Sequence, residues 1–291
     1  MKTTTFEIAG LILAVKGDAD FFHNAMWDFE CTQEGEPDVS IAFMENRWSG
    51  AYPGKTLLRD RLLSVYETAD AYIVRYNDPM WVECYVNEKI SCQSYVYLTE
   101  RGRGREEGNP LDREEVMYSI RDAFFFHMQK RGRMAVHSAS FIYRDRVWLF
   151  SAKSGTGKST HVSMWHENGY SIQDFNGDLA ICYLENGIAM ASSAPWCGTS
   201  NLYCNRTVPL GGVVFLERAG RNAVRTIPSA EGIMRLAARC LTPNWDRKLM
   251  GQNVDIAASM IPHIFCCVLE CNAEPGAAVV CKEYLDHLSE S

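Results

Sequence analysis

No apolar run in the 291 residues approaches the roughly 18 that a membrane helix needs, and no tract is of low complexity. An excess of basic charge is also missing. The formal net charge of −7 argues against a general nucleic-acid binder, whose surface would be basic. There is no Cys-x₂-Cys pair; Cys197 and Cys204 are badly spaced for zinc and lack a second pair. The segment Phe6–Val15 is apolar, but Glu7 breaks it and it lacks the flanks of a signal peptide, so it reads as a first strand. These absences predict a cytoplasmic globular protein with neither membrane nor nucleic-acid partners. What cysteine there is, eleven residues in all, includes Cys182, Cys266, Cys267, Cys271 and Cys281 among Ile, Val, Leu and Phe. There a reduced thiol serves as a small hydrophobe.

The most informative segment is Ser154-Gly155-Thr156-Gly157-Lys158-Ser159-Thr160, entered from the apolar run Val147–Phe150. It has the pattern of a Walker A loop, with Ala152 in place of the usual first glycine. Small residues let successive backbone N–H groups turn inward around phosphate oxygens, and a following helix adds its positive end. Lys158 then reaches the β- and γ-phosphates, and the Ser159 hydroxyl can ligate Mg²⁺. Beyond the loop, His161, Val162, Trp165 and His166 recur at helical spacing until Asn168-Gly169. Strand, glycine loop and helix is the context the motif requires, and it predicts a nucleoside triphosphate site.

The remainder divides in two. Residues 1–132 read as a strand-rich accessory domain, with strands at Val39–Phe43, Leu63–Glu67, Ala71–Tyr76, Trp81–Val86 and Ser94–Leu98. Arg101–Pro110 reads as a solvated connector carrying a local basic cluster. Asp112 with Glu115 marks a helix start, and Val116, Met117, Ile120, Phe124, His127 and Met128 trace one face before Gly132. His127 on that face is expected to be a core histidine. From 133 to 291 strands and helices alternate. Expected strands are Ala135–Tyr143, Arg146–Ser151, Ile172–Phe175, Leu179–Leu184, Ile188–Ser192, Val213–Leu216 and Phe265–Leu269. Expected helices lie around 233–241, 244–262 and 276–288. Hairpins mixed with helices imply an α/β domain whose sheet is not purely parallel.

Two hairpins bring further residues toward the loop. A turn at Arg144-Asp145 puts His137 opposite Ala152, to within a residue or two. The strong turn signal Asn186-Gly187 puts Asp178 opposite Pro195, so that loop 195–204 borders it. Phosphoryl transfer needs charge neutralisation, in-line positioning and a carboxylate that accepts the acceptor's proton or holds the metal. Asp178 and Asp174 are the available carboxylates, sharing a face with Asn176 if Gly177 does not break the strand. His137 either polarises a phosphate oxygen or binds a backbone group. Arg206, Arg218 and Arg221 are candidates for a second positive charge, and nothing in their spacing selects one.

Met134-Ala-Val-His137-Ser-Ala, a hairpin, the loop Phe150–Thr160 and Asn176-Gly-Asp178 together resemble the catalytic domain of HPr kinase/phosphorylase and its kinase relatives. The loop is also similar to that of ATP-dependent phosphoenolpyruvate carboxykinase, which shares the core fold. The resemblance covers roughly 133–290. It implies an α/β P-loop domain of that type with a mixed sheet, here preceded by a strand-rich α+β domain. It implies ATP and Mg²⁺, Lys158 on the phosphates, Ser159 on the metal, Asp178 as base and metal ligand, and His137 nearby. The family's usual Asp-Asp pair is Gly177-Asp178 here, and the Glu-Ile-Arg-Gly signature of the bifunctional HPr enzymes is missing. The expectation is therefore a kinase acting on a hydroxyl of a protein, peptide or metabolite. The rival is a nucleotide-binding regulatory module with little or no transfer. Carboxykinase-like chemistry lacks an additional Lys, His and Asp metal set. A homo-oligomer is allowed, with no feature that sets it.

Overall fold

The computed structural model describes residues 1–32, 35–104 and 113–289 and is a mixed α/β protein. It divides into two compact units, Met1–Arg131 with Pro243–Met250, and Gly132–Thr242 with Gly251–Ser291. The segment Pro243–Met250 thus belongs with the first unit, although the sequence assigned everything beyond 133 to one domain. Among the described residues no helix is long and apolar enough to cross a membrane.

The first unit contains strands β1 (Lys2–Ile8) and β2 (Leu11–Gly17) and a short helix α1 (Asn24–Trp27). Strands β3 (Val39–Met44), β4 (Lys55–Arg59), β5 (Leu63–Glu67), β6 (Ala71–Tyr76), β7 (Val82–Glu88) and β8 (Gln93–Leu98) follow. Helices α2 (Glu100–Arg103) and α3 (Arg113–Gln129) complete it. The eight strands form one sheet in the order β1-β2-β3-β8-β7-β6-β5-β4. Phe6–Val15 is not one strand. Ala9 and Gly10 both take positive φ and fold it into a tight hairpin, which alanine, unlike Asn or Gly, does not announce. Helix α3 buries the expected face, Val116 to Met128. Arg105–Asp112, and with it most of the basic connector and the expected cap at Asp112, lies outside the described residues. Glu115 accepts from the backbone N–H groups of Trp81 and Val82.

The second unit runs β9 (Arg133–His137), β10 (Ala139–Tyr143), β11 (Arg146–Ser151), α4 (Lys158–Glu167), β12 (Gln173–Asn176), β13 (Leu179–Glu185) and β14 (Ile188–Ser192). The long strand β15 (Thr207–Arg218), β16 (Ala223–Thr226), α5 (Ser229–Ala237), α6 (Arg247–Met260), β17 (Phe265–Cys271) and α7 (Gly276–Ser289) complete the chain, with the start of α6 counted to the first unit. Strand order is β12-β10-β11-β15-β14-β13-β9, with β17 also on β15 and β16 on β17. β11 pairs in parallel with β15, and β10 antiparallel with β11, so the sheet is mixed. Along β11, Val147 and Leu149 enter one apolar core while Trp148 and Phe150 enter the other, as period-two alternation requires of a strand buried on both faces.

Candidate functional site

The loop after β11 lies at the carboxyl ends of two parallel strands, where open α/β sheets leave a crevice. Gly155 (φ +73°) and Gly157 (φ +115°) occupy left-handed backbone, so side chains at either position would strain it. Thr156 N–H closes the turn on Lys153 O at 3.1 Å, and Gly157 caps α4 without a side chain to cover the helix's first N–H groups. Ser154, Ser159 and Thr160 are exposed; Thr156 and Lys158 are half-buried. The helix is anchored from behind. His161 lies against Phe150 and accepts from Trp165 Nε1 at 3.3 Å, with burial pushing its pKa down to about 4. That makes His161 a packing residue.

The expected hairpin register holds, with Ala139 opposite Phe150, but the strand expected over Ala135–Tyr143 is interrupted at Ser138. His137 therefore ends β9 and pairs with Leu179 of β13, not with Ala152. Two hydrogen bonds close the gap. Ser151 Oγ donates to His137 O at 2.7 Å, and Ser138 N–H donates to Asp178 O at 2.9 Å.

The result is a convergence of three side chains. Lys158 Nζ lies 3.0 Å from His137 Nε2, which lies 3.4 Å from Asp178 Oδ1. A lysine ammonium has only donors, so Nε2 accepts from it and the imidazole proton sits on Nδ1. Burial, and secondarily Arg239, lowers the Lys158 pKa, while the Asp178 charge opposes that shift.

Asp178 is positioned by Asn176, a residue the sequence placed on its face but gave no task. Asn176 Oδ1 accepts from the N–H groups of Asp178 (3.0 Å) and Leu179 (3.1 Å), and its amide donates to Ser193 Oγ and Ala194 O. The turn this creates breaks the strand at Gly177. Asp174, Asn176 and Asp178 consequently do not form one row, and Asp174 pairs with His166 Nε2 at 2.9 Å. It does not replace the missing carboxylate.

The second hairpin has the expected register, Ile181 opposite Ser192, but its ladder stops before Asp178. The 195–204 loop still borders that residue, through Gly198. A Cβ on Gly198 would come within 3.0 Å of Asp178 Cβ, and its φ is +62°. Gly177 is enclosed by the same loop: its N–H donates to Leu202 O at 2.9 Å, and a side chain there would overlap the Ser200 hydroxyl.

Of the three arginines singled out in the sequence, Arg218 reaches the loop, donating to Gly155 O. Arg206 bonds Gln173 and Arg221 lies beside Glu270. A cleft of about 490 Å³ opens between the loop and the ends of β15 and α5, lined by Lys153, Arg218, Arg235, Arg239 and Glu217 among others. Neither Arg235 nor Arg239 carried a motif that sequence could flag.

No protein-family model matches the sequence, and no curated protein matches it. Among solved structures the chain is similar to the Hpr(Ser) kinase/phosphatase from Coxiella burnetii, at 10% identity over 53% of this chain and 98% of that chain, with a TM-score of 0.32. That is a distant structural relation.

Proposed function

We propose that the chain is an ATP- and Mg²⁺-dependent phosphotransferase that moves the γ-phosphoryl group to a hydroxyl of a protein, peptide or small molecule. The observation that carries this reading is the convergence of Lys158, His137 and Asp178 at the mouth of a glycine loop heading a helix. Backbone N–H groups of Ser154–Thr160 would hold the phosphates, and Lys158 would leave His137 for the β- and γ-oxygens. Asp178 would accept the acceptor's proton, and His137, once Lys158 has left it, would polarise a phosphate oxygen.

Mg²⁺ keeps several waters and takes one or two carboxylates besides substrate phosphates. The exposed Ser159 hydroxyl and the Asp178 carboxylate are a donor set of that kind, and among the described residues no larger acidic or histidine cluster competes for it. Bound with the nucleotide, the ion would neutralise charge on the β- and γ-phosphates.

Gly177 favours a second reading, a regulatory module that binds nucleotide without transfer, because it leaves Asp178 to serve alone. One experiment separates them: transfer from γ-labelled ATP with Mg²⁺ into a size-fractionated cell extract. Label in a protein or small-molecule fraction is expected, lowered on the order of 10²-fold or more in Lys158→Ala and strongly in Asp178→Asn. Full transfer in Lys158→Ala overturns the kinase reading, and ATP binding without transfer in any fraction favours the module.

A further inference from the structure

Three arginines line the cleft beside the glycine loop, and two of them are occupied. Arg218 donates to Gly155 O, and Arg235 is held by Glu217 and Glu231, each at 2.8 Å. Arg239 differs. Among the described residues no hydrogen bond or ion pair engages its guanidinium, although the side chain is half-buried against the cleft.

Its backbone, by contrast, is fixed. Arg239 O accepts from His137 N–H at 2.9 Å, Leu241 N–H donates to Ala135 O at 2.7 Å, and Cys240 bridges Val136. The segment after α5 thus adds itself to β9, the terminal strand of the sheet, whose last residue is His137. Nearby, Thr242 Oγ1 donates to Asn253 Oδ1 at 2.6 Å and holds the segment's end. A guanidinium with no partner is therefore carried on a rigid backbone joined to the histidine between Lys158 and Asp178. Its charge is felt at the Lys158 ammonium, where, after burial, it lowers the pKa.

A guanidinium that lines the cleft beside the glycine loop, with no hydrogen-bonded or ion-paired carboxylate of its own among the described residues, is an arrangement completed by an anion. We propose that Arg239 is a catalytic residue whose guanidinium binds the equatorial oxygens of the transferring phosphoryl group, opposite Lys158. The inference rests on the phosphotransferase reading above. In the step it serves, the acceptor oxygen forms its bond to the γ-phosphorus as the bond to the β–γ bridging oxygen breaks. The electron pair leaves with ADP, the acceptor's proton passes to Asp178, and Arg239 stays protonated throughout. A planar fork of donors matches two phosphoryl oxygens at once, which a lysine does not.

The test measures binding of Mg-ATP and Mg-ADP, and transfer from γ-labelled ATP, in the whole chain and in Arg239→Ala, Arg239→Lys and Lys158→Ala. In Arg239→Ala, ADP binding is expected to be unchanged, the preference for ATP over ADP to be lost, and transfer to fall on the order of 10²-fold or more. Arg239→Lys is not expected to restore transfer, whereas added guanidine should restore part of it in Arg239→Ala. An Arg239→Ala protein that keeps the wild-type ATP preference, or that weakens ATP and ADP equally, overturns the proposal.

Failure of the underlying reading looks different, because then Lys158→Ala binds ATP as the wild type does. If the wild type transfers no label, the ATP-over-ADP preference still decides the role of Arg239. Should Arg239→Ala not fold, Arg239→Gln keeps the stem and carries the same two binding readouts.

Discussion

At the scale of single residues, the site is defined as much by what cannot be added as by what is present. Gly177 occupies the place of a second carboxylate in the resembled motif, yet the Ser200 hydroxyl fills the space that a Cβ would need, with Cys197 O close behind. The backbone there is not left-handed, so the exclusion is steric rather than conformational. Gly177→Ala is therefore expected to destabilise the protein by about 1–3 kcal/mol, the usual cost of overpacking. Ser200→Gly in the same chain should recover most of that loss, because it removes the Ser200 Oγ and Cβ that a new methyl would meet. Thermal denaturation of the single and double variants checks this; an additive pair would mean the clash does not exist. Asn176 illustrates the complementary case, a buried amide whose four hydrogen bonds set the turn that aims Asp178.

At the scale of elements, α3 carries a buried polar chain through the core of the first unit. His127 Nε2 lies 3.2 Å from Gln93 O and 2.9 Å from Ser94 Oγ, which itself donates to Asn87 Oδ1 at 2.8 Å. A carbonyl can only accept, so Nε2 carries the proton, and Nδ1 has no partner in the described structure. Burial, reinforced by Lys130, lowers the pKa of His127 to about 3, against about 6.5 in an unfolded chain. The native state then binds fewer protons than the unfolded one through that window. This contribution to stability is complete above about pH 6.5 and is lost as pH falls toward 3. Between pH 7 and pH 4 the wild type should lose on the order of 3 kcal/mol from this group. His127→Gln, which does not titrate, should lack that part of the slope in denaturant titrations at the two pH values. An unchanged slope would show that the imidazole is not the responsible group.

On the scale of the whole molecule, the chain forms two units whose boundaries are not contiguous in sequence. Residues 243–250 complete the first. Trp245 stacks on Phe126 and meets the edge of Tyr72, whose hydroxyl donates to Asp246 Oδ2 at 2.6 Å. Gln129 Nε2 donates to Pro243 O and Leu249 O, at 2.9 and 3.0 Å. A fragment of residues 1–131 loses Trp245 from Phe126 and Tyr72, Asp246 from the Tyr72 hydroxyl, and the two carbonyls that accept from Gln129. It is expected to lack a cooperative thermal transition, and a flexible linker to residues 243–250 should restore one. A fragment that melts cooperatively without that segment would show the segment to be dispensable.

Much of the fold was legible in the chain because its signals are local. The β13–β14 turn was announced by Asn186-Gly187, the burial of α3 by its apolar spacing, and the glycine loop by its two flanks. The β1–β2 hairpin was missed because Ala9 takes a positive φ that its residue type does not advertise. Strands β4 and β16 were missed too, having little apolar patterning of their own. The arrangement around the loop was only half legible. Lys158 could be named from its motif, and His137 and Asp178 as neighbours of the loop from the hairpins, although the partners expected of them, Ala152 and Pro195, are not the ones they have. Four outcomes depended on packing between different elements of the chain: the break at Ser138, the enclosure of Gly177 by Ser200, the removal of Asp174 by His166, and the placement of Arg239 beside His137. Local propensity determined which elements form. The tertiary structure alone decided which side chains meet, because a hydrogen bond between strand ends and a steric clash across a loop have no periodicity in sequence.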